Sequence, residues 1–229
     1  MTCEKRLKIA FLANSDRNIF LFRLALAKAL IKEGHSLYAI VPGSKYCGIL
    51  KDNGIKVIQY EIFRGSLNPF REIKTFLQLY RIFKDNNFDL LHSFTIKSNV
   101  YGSLLGRLFG VRRIVTNITG LGYLFIDNRI IIRLLRSFVV LLLRSSFELS
   151  DIIVFQNPQD CAEFGYKPGA KKVIMLKGSG VDLGYFSPEN DAGKIKIIRS
   201  RFNIDESGIV VSFIGRIIEH KGIRELIEV

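Results

Sequence analysis

Short apolar runs alternate with segments of helical spacing over roughly the first 180 residues of the chain. Strands are predicted at Lys8–Ala13, Leu37–Val41, Lys56–Tyr60, Asp89–Ser93, Arg113–Thr116, Asp151–Phe155 and Lys172–Leu176. Between them, apolar spacing and cap residues predict helices, such as Ile19–Glu33 before Gly34 and a helix that starts at Pro69 after Asn68. This alternation predicts an α/β fold with a doubly wound, Rossmann-like parallel sheet, which binds ligands at the carboxyl ends of its strands.

The pattern changes after Pro188. Residues 187–207 are charged and poor in strand signals, and Gly208–Gly215 then reads as a new strand followed by a helix from Lys221 to Val229. We therefore expect a first domain at residues 1–186, a linker at 187–207 and the first βα unit of a second Rossmann-like domain at 208–229. One strand and one short helix cannot bury a core, so we expect this second domain to be truncated.

Composition narrows the function classes. The chain has 229 residues and a net charge of +13, which favours a polyanionic partner such as a nucleic acid, an anionic membrane or a phosphorylated small molecule. Cys3, Cys47 and Cys161 lie far apart and outside any zinc-binding spacing, which indicates reduced thiols in a cytoplasmic protein. No apolar run is long enough for a signal peptide or a membrane-spanning helix.

Two motifs near the end of the chain carry the strongest chemical signal. The segment GSGVD at residues 178–182 is followed by a strand and by Gly215-Arg216 and Lys221-Gly222 in a strand-to-helix turn. A helix N-terminus and two cations suit a diphosphate leaving group. The combination resembles the glycosyltransferase 4 family, retaining enzymes of the GT-B fold. In that resemblance Arg216 and Lys221 bind the diphosphate of the donor.

Polar patches at the other strand ends resemble the branch of that family that elongates polyprenyl-diphosphate-linked sugars. The resemblance implies donor contacts from Asn14, Ser15 and Gly180, a tentative catalytic role for His92, and acceptor contacts from Arg23, Thr95, Lys97, Thr119 and Gly120. It implies a UDP-sugar donor, with N-acetylhexosamine the expected sugar, and neither a metal nor another cofactor.

Three departures from the family pattern weaken this assignment. The first loop lacks a Gly-Gly pair, Phe94 stands where some members have a second histidine, and the family's E-x7-E pair would lie beyond Val229. We therefore expect no turnover by this chain alone. Each residue also has a simpler interpretation: His92 as a structural hydrogen-bonding residue, Arg23 as a surface charge and Gly120 as a turn glycine.

An arginine-rich stretch suggests a membrane contact. Seven arginines and one acid, Asp127, lie between Gly106 and Phe147. On a helix, Arg129, Arg133, Arg136 and Arg144 fall within about 80° of one another beside an apolar arc wider than sheet packing requires. Such a helix is typical of membrane surfaces. The alternative is a crossover helix with a solvated basic face.

The leading hypothesis is therefore a retaining glycosyltransferase, peripheral at the cytoplasmic face of the membrane, that builds glycan precursors. A dinucleotide-dependent oxidoreductase fits poorly, because the first loop lacks G-x-G-x-x-G. A nucleic-acid-binding protein lacks a recognisable motif, so no nucleic acid is expected. A non-catalytic, basic fragment that binds membrane or acceptor remains the alternative.

Overall fold

A computed structural model describes residues 6–63, 65, 68–120, 130–184, 187, 191–205, 207–215, 217 and 222–228. The chain divides into two compact units, Met1–Val181 and Asp182–Val229. Each unit is described by itself below.

The first unit contains a seven-stranded sheet. The strands are β1 (Lys8–Ala13), β2 (Ser36–Val41), β3 (Lys56–Gln59), β4 (Leu90–Phe94), β5 (Arg113–Ile118), β6 (Ile152–Phe155) and β7 (Val173–Met175). Their order is β3-β2-β1-β4-β5-β6-β7, and every neighbouring pair is parallel. The predicted Rossmann-like sheet is confirmed, and the direction of winding reverses between β1 and β4.

Helices cover the two faces of this sheet. They are α1 (Asp16–Lys32), α2 (Tyr46–Asp52), α3 (Pro69–Asp85), α4 (Ile96–Leu108), α5 (Ile130–Leu149) and α6 (Pro158–Glu163). Residues of α1 and α2 pack with Phe11 and Phe94 on one face. Residues of α3 and α4 pack with Leu12 and Ile114 on the other. Helices α5 and α6 pack around Ile118. Ile118 and Ile114 lie on the same side of β5, so α5 and α6 cover the same face of the sheet as α3 and α4.

Helix α3 begins where its cap signals predict but does not bury the face that its spacing suggests. Asn68 caps the helix by accepting a hydrogen bond from the Phe70 backbone N–H at 3.0 Å, and Pro69 is its first residue. The buried positions are Thr75, Leu79 and Phe83. The predicted apolar face is largely exposed, since it includes Phe70, 81% exposed, together with Ile73, Leu77 and Tyr80.

Helix α5 also differs from an ordinary crossover helix. Its inner side, with Val139, Leu143 and Phe147, packs on the sheet. Ile130, Leu134, Phe138 and Leu141 remain exposed, by 54% or more. The wide apolar arc predicted from the sequence is therefore divided between a buried side and an open one. Arg133 and Arg144 are exposed beside the open side, whereas Arg136 is half-buried.

The second unit contains α7 (Ala192–Arg201) and α8 (Ile223–Glu228). The strand predicted at Gly208–Gly215 is not formed, because the described part of this unit offers no neighbouring strand to pair with it. Ile209 and Ile214 there are 94% and 97% exposed. Neither helix buries a residue, as expected for a unit too small to build a core.

Candidate active site

The carboxyl ends of the strands bring the predicted site residues to one edge of the sheet. Asn14 and Ser15 follow β1, Thr95 follows β4, Thr119 and Gly120 follow β5, and the segment Gly178–Gly180 comes shortly after β7. In a doubly wound sheet a crevice opens where the winding reverses, here between β1 and β4. The structure therefore places these residues at the edge where doubly wound sheets generally bind ligands, and their contacts with a ligand stay predictions.

Asp16 organises the first loop. Its buried carboxylate accepts hydrogen bonds from the Ser44 hydroxyl at 2.6 and 2.7 Å and from the Tyr46 backbone N–H at 3.1 Å. Burial by itself raises the pKa of Asp16, but the bonds from Ser44, Arg17, Cys47 and Tyr46 outweigh it and hold the pKa below the ordinary value. Asp16 thus fastens the start of α1 to the start of α2.

Thr95 lies at the crevice in a conformation that glycine normally adopts. Its φ of 82° and ψ of 152° place it at the N-cap of α4, where its hydroxyl donates to the Ser98 hydroxyl at 3.3 Å. Backbone strain of this kind costs about 1–3 kcal/mol and is concentrated at functional sites. This turn begins α4 directly at the carboxyl end of β4.

Lys97, predicted to contact the acceptor, is engaged within the protein. Its ammonium group donates to Glu72 at 2.7 Å and to the Phe63 carbonyl at 2.9 Å. Tyr101 donates its hydroxyl to the other oxygen of Glu72, and burial followed by this bond raises the pKa of Tyr101. Lys97 therefore links α4 to α3, and part of its charge is neutralised by Glu72.

His92 lies among aromatic rings in the middle of β4. Its ring centroid is 4.2 Å from that of Phe94 and 5.7 Å from that of Phe11. Its Nε2 is buried and has no hydrogen-bond partner among the described residues. Burial, assisted by the positive charge of Arg23, lowers the pKa of His92 to about 3. The hydrogen bond expected of a structural histidine is therefore not seen at Nε2 in the described part of the chain, and the catalytic role of His92 stays a prediction.

Arg23 is not a surface charge. It is 5% exposed and lies over the Phe94 ring, 4.4 Å from the centroid. Its Nη1 donates to the Ser179 hydroxyl at 2.8 Å, and Gln156 donates to the same hydroxyl at 3.3 Å. The Nε and Nη2 atoms of Arg23 are buried, and no described residue bonds to them. This arrangement connects α1 with the GSGVD segment.

Other predicted residues of the site are placed as follows. Thr119 and Gly120 are exposed, and Gly120 has a φ of 132°. Gly180 has a φ of 74° and is exposed. Beside Phe94 in the sheet register, Asn117 is buried, and within the described ranges its Oδ1 has no hydrogen-bond partner.

The remaining predictions fall outside the described residues or concern metals. Arg216, Lys221 and Arg129 lie in parts of the chain that the structure does not describe. Within the described ranges, no three His, Cys, Asp or Glu side chains converge as metal ligands would. Among the described helices, none combines the length and the hydropathy needed to cross a bilayer.

Sequence reasoning missed four residues that organise this edge. Asp16 was visible as an acid at a helix start, Ser179 as the centre of a glycine-flanked motif, and Glu72 as an acid in the first turn of α3. No local pattern distinguishes Asn117 from any other polar residue at the end of a strand.

A parallel seven-stranded sheet whose winding reverses between β1 and β4 defines a Rossmann-like domain of the kind found in GT-B glycosyltransferases. The family model described as "Glycosyl transferase 4-like" matches residues 8–157, and the chain belongs to this family. A relative from Campylobacter jejuni, the N,N'-diacetylbacillosaminyl-diphospho-undecaprenol alpha-1,3-N-acetylgalactosaminyltransferase, is 33% identical over 225 residues. The match covers 97% of this chain but only 59% of that relative.

Solved structures share the fold. A glycosyltransferase from Rickettsia africae matches 98% of this chain and 56% of its own at 18% identity, with a TM-score of 0.66. Anabaena HepE in complex with UDP and glucose matches 86% of this chain and 50% of its own at 15% identity, with a TM-score of 0.56. At these identities the likeness extends to the fold alone.

Proposed function

We propose that this chain is the acceptor-side part of a retaining glycosyltransferase that moves a sugar, with N-acetylhexosamine the expected one, from a UDP-sugar to a polyprenyl-diphosphate-linked acceptor. The observation that carries the proposal is the 33% identity, over 97% of this chain, to a transferase whose name specifies an undecaprenyl-diphosphate-linked sugar. The polar crevice at the carboxyl edge of the sheet supplies the binding surface. The relative is longer than this chain, so the activity is proposed for the enzyme as a whole.

In this proposal the donor is held at the start of the second unit. Arg216 and Lys221 neutralise the diphosphate as the bond to the sugar breaks, in place of a metal ion. The leaving phosphate accepts the proton of the acceptor hydroxyl on the same face of the sugar, so configuration is retained without a protein base. For Asn14, Ser15 and Gly180, contact with the donor stays the expectation that the family resemblance gives.

The acceptor is assigned to the crevice itself. Arg23, Thr95, Thr119 and Gly120 lie at or near the carboxyl edge, and Arg23 has two buried donors that no described residue pairs with. Lys97 is paired with Glu72, and its contact with the acceptor stays the expectation that the family resemblance gives. The proposed acceptor is amphiphilic, because a diphosphate connects its sugar to a polyprenyl chain.

A lipid-linked acceptor places the enzyme at the cytoplasmic face of a membrane, and α5 is the proposed contact. Its open side exposes Ile130, Leu134, Phe138 and Leu141 next to Arg133 and Arg144. Each arginine near anionic lipid contributes about 1 kcal/mol, which suits reversible attachment. Helix α3 lies on the same side of the sheet and also exposes apolar residues, among them Phe70 and Ile73.

A chimera tests the transferase proposal. The chain is joined to the part of the Campylobacter relative beyond the region it matches. It is then incubated with a radiolabelled UDP-N-acetylhexosamine and a polyprenyl-diphosphate-linked sugar. We expect label in the lipid phase with the chimera and none with this chain alone. A folded chimera that binds the acceptor but transfers no label contradicts the proposal and favours the alternative, a non-catalytic acceptor- or membrane-binding domain.

Vesicle co-sedimentation tests the membrane contact. We expect Arg133→Glu/Arg144→Glu to lose binding to vesicles that contain phosphatidylglycerol, and Leu134→Ser/Phe138→Ser to weaken it. Lys28→Glu/Arg112→Glu makes the same charge change at exposed positions outside α5 and serves as the control. If the control and the α5 variants bind equally, α5 is a crossover helix with a solvated basic face.

A further inference from the structure

A buried asparagine near the start of α4 bonds to two loops at the carboxyl edge of the sheet. Asn99 is 0% exposed, and its side-chain amide donates to the backbone carbonyl of Asn117 at 3.1 Å. Its backbone N–H donates to the Thr95 carbonyl at 2.9 Å. Thr95 directly precedes α4, and Asn117 lies two residues before Thr119 at the end of β5. One residue therefore connects the loop after β4 with the end of β5.

Asn99 is itself held in place by α5. The Ser146 hydroxyl of α5 donates to the Asn99 backbone carbonyl at 3.0 Å, and the Ser103 hydroxyl donates to the Ser146 hydroxyl at 3.0 Å. All three residues are buried. These bonds fix the turn of α4 that carries Asn99 against α5. The Asn99 amide therefore has little freedom to turn away from Asn117.

Packing alone does not account for an amide at this position. Burial of a side-chain amide is costly unless hydrogen bonds compensate for the lost contact with water. Asparagine is also a weak helix former. The Asn99 nitrogen uses its bond to Asn117, whereas no described residue bonds to the Asn99 Oδ1. What this side chain supplies, and an apolar one would not, is the bond to β5.

That bond acts where the sheet ends and the loop after β5 begins. Pairing of β5 with its neighbours runs to Asn117 on the β4 side and to Ile118 on the β6 side. Thr119 and Gly120 follow directly and are exposed. A shift of the Asn117 carbonyl therefore moves Thr119 and Gly120 relative to Thr95.

We infer that Asn99 is a positioning residue for the acceptor, because its amide holds the Asn117 carbonyl and so fixes the loop after β5 relative to Thr95. This role rests on the proposed function, which assigns Thr95, Thr119 and Gly120 to the acceptor. Asn99 is buried and acts through these loops, without touching the substrate itself.

Hydrogen exchange of this chain tests the bond. Asn99→Asp keeps the shape of the side chain but places a carboxylate oxygen against the Asn117 carbonyl. The side-chain and backbone bonds of Asn99 involve uncharged groups, so burial should raise the pKa of the introduced carboxyl group. At pH 8, amide exchange in residues 117–120 should be roughly tenfold faster than in the wild type. At pH 5 the protonated carboxyl group donates to the carbonyl again, and the two proteins should exchange at equal rates.

Two further variants complete this measurement, and thermal melting checks that each is folded. Asn99→Ala removes the donor without adding a charge and should exchange faster than the wild type at both pH values. Asn53→Asp is the matched control, because its amide bonds to the Ile49 carbonyl at the end of α2. It should leave exchange in residues 117–120 unchanged. If Asn99→Ala exchanges like the wild type, or if Asn99→Asp does not recover at pH 5, Asn99 does not hold β5.

The chimera described above separates positioning from a general loss of structure. In it, Asn99→Ala should raise the KM for the lipid-linked acceptor roughly tenfold and leave the KM for the UDP-sugar unchanged. Asn53→Ala should change neither value. Equal increases in both KM values, or no increase, overturn the inference. A wild-type chimera that transfers no label contradicts the proposed function instead, and hydrogen exchange then still decides whether Asn99 holds the end of β5.

Discussion

Replacing His92 with leucine should make the protein less sensitive to acid. His92 has a folded-state pKa of about 3, chiefly because it is buried and secondly because of the charge of Arg23. In the unfolded chain a histidine has a pKa of about 6.5. Between these values the unfolded state binds a proton that the folded state does not. Stability is therefore lost as pH falls below about 6.5, by about 1.4 kcal/mol for each pH unit.

At pH 4.5 this loss amounts to about 2.7 kcal/mol relative to neutral pH. Urea unfolding at pH 7.5 and 4.5 gives the loss of unfolding free energy between the two pH values for each protein. The loss in the wild-type chain should exceed the loss in His92→Leu by this amount. The pKa values of Asp16 and Asp151 are lowered in the folded protein, so their contribution to stability is lost at more acidic pH. Both proteins contain these two residues, and this loss therefore cancels when they are compared. If wild-type and His92→Leu stabilities fall in parallel, His92 is not held neutral by burial.

Three further substitutions test the geometry of the site and its support. Asp16→Ala should lower the free energy of unfolding by about 1–3 kcal/mol in urea titrations, because it removes the charged acceptor of the hydrogen bonds from Ser44 and from the Tyr46 backbone N–H. Thr95→Gly should raise the melting temperature, because relief of about 1–3 kcal/mol of backbone strain exceeds glycine's extra unfolded-state entropy of about 1 kcal/mol. Gly106→Ala should cost about 1–3 kcal/mol of stability, since its Cβ would lie 2.8 Å from Ile114, whereas Gly48→Ala meets nothing and should be neutral or stabilising in the same titration.

The exposed apolar residues of α3 and α5 could be predicted only in part. Helical spacing identified α3 and α5 and most of their apolar positions, but not which of these positions are buried. Spacing reports only that apolar residues share a side of a helix. Whether that side packs on the sheet depends on how the helix is connected to its strands. In α3, Leu79 and Phe83 are buried, whereas Phe70 and Ile73 stay exposed.

The sequence by itself determined the order of strands and helices, the parallel sheet and the edge at which the candidate site lies. These follow from local periodicity, from caps such as Asn68-Pro69, and from the rule that parallel strands end at one edge. The family motifs pointed to the same class of enzyme that the comparisons support.

Only the tertiary structure decided the state of individual side chains. It buried Arg23 against Phe94 and Ser179, bonded Lys97 to Glu72, and held His92 neutral among rings. It also left Gly208–Gly215 without a strand, because a strand exists only where another pairs with it. Desolvation, ion pairing and strand pairing all depend on residues distant in the chain, whereas periodicity and capping depend on neighbours in sequence.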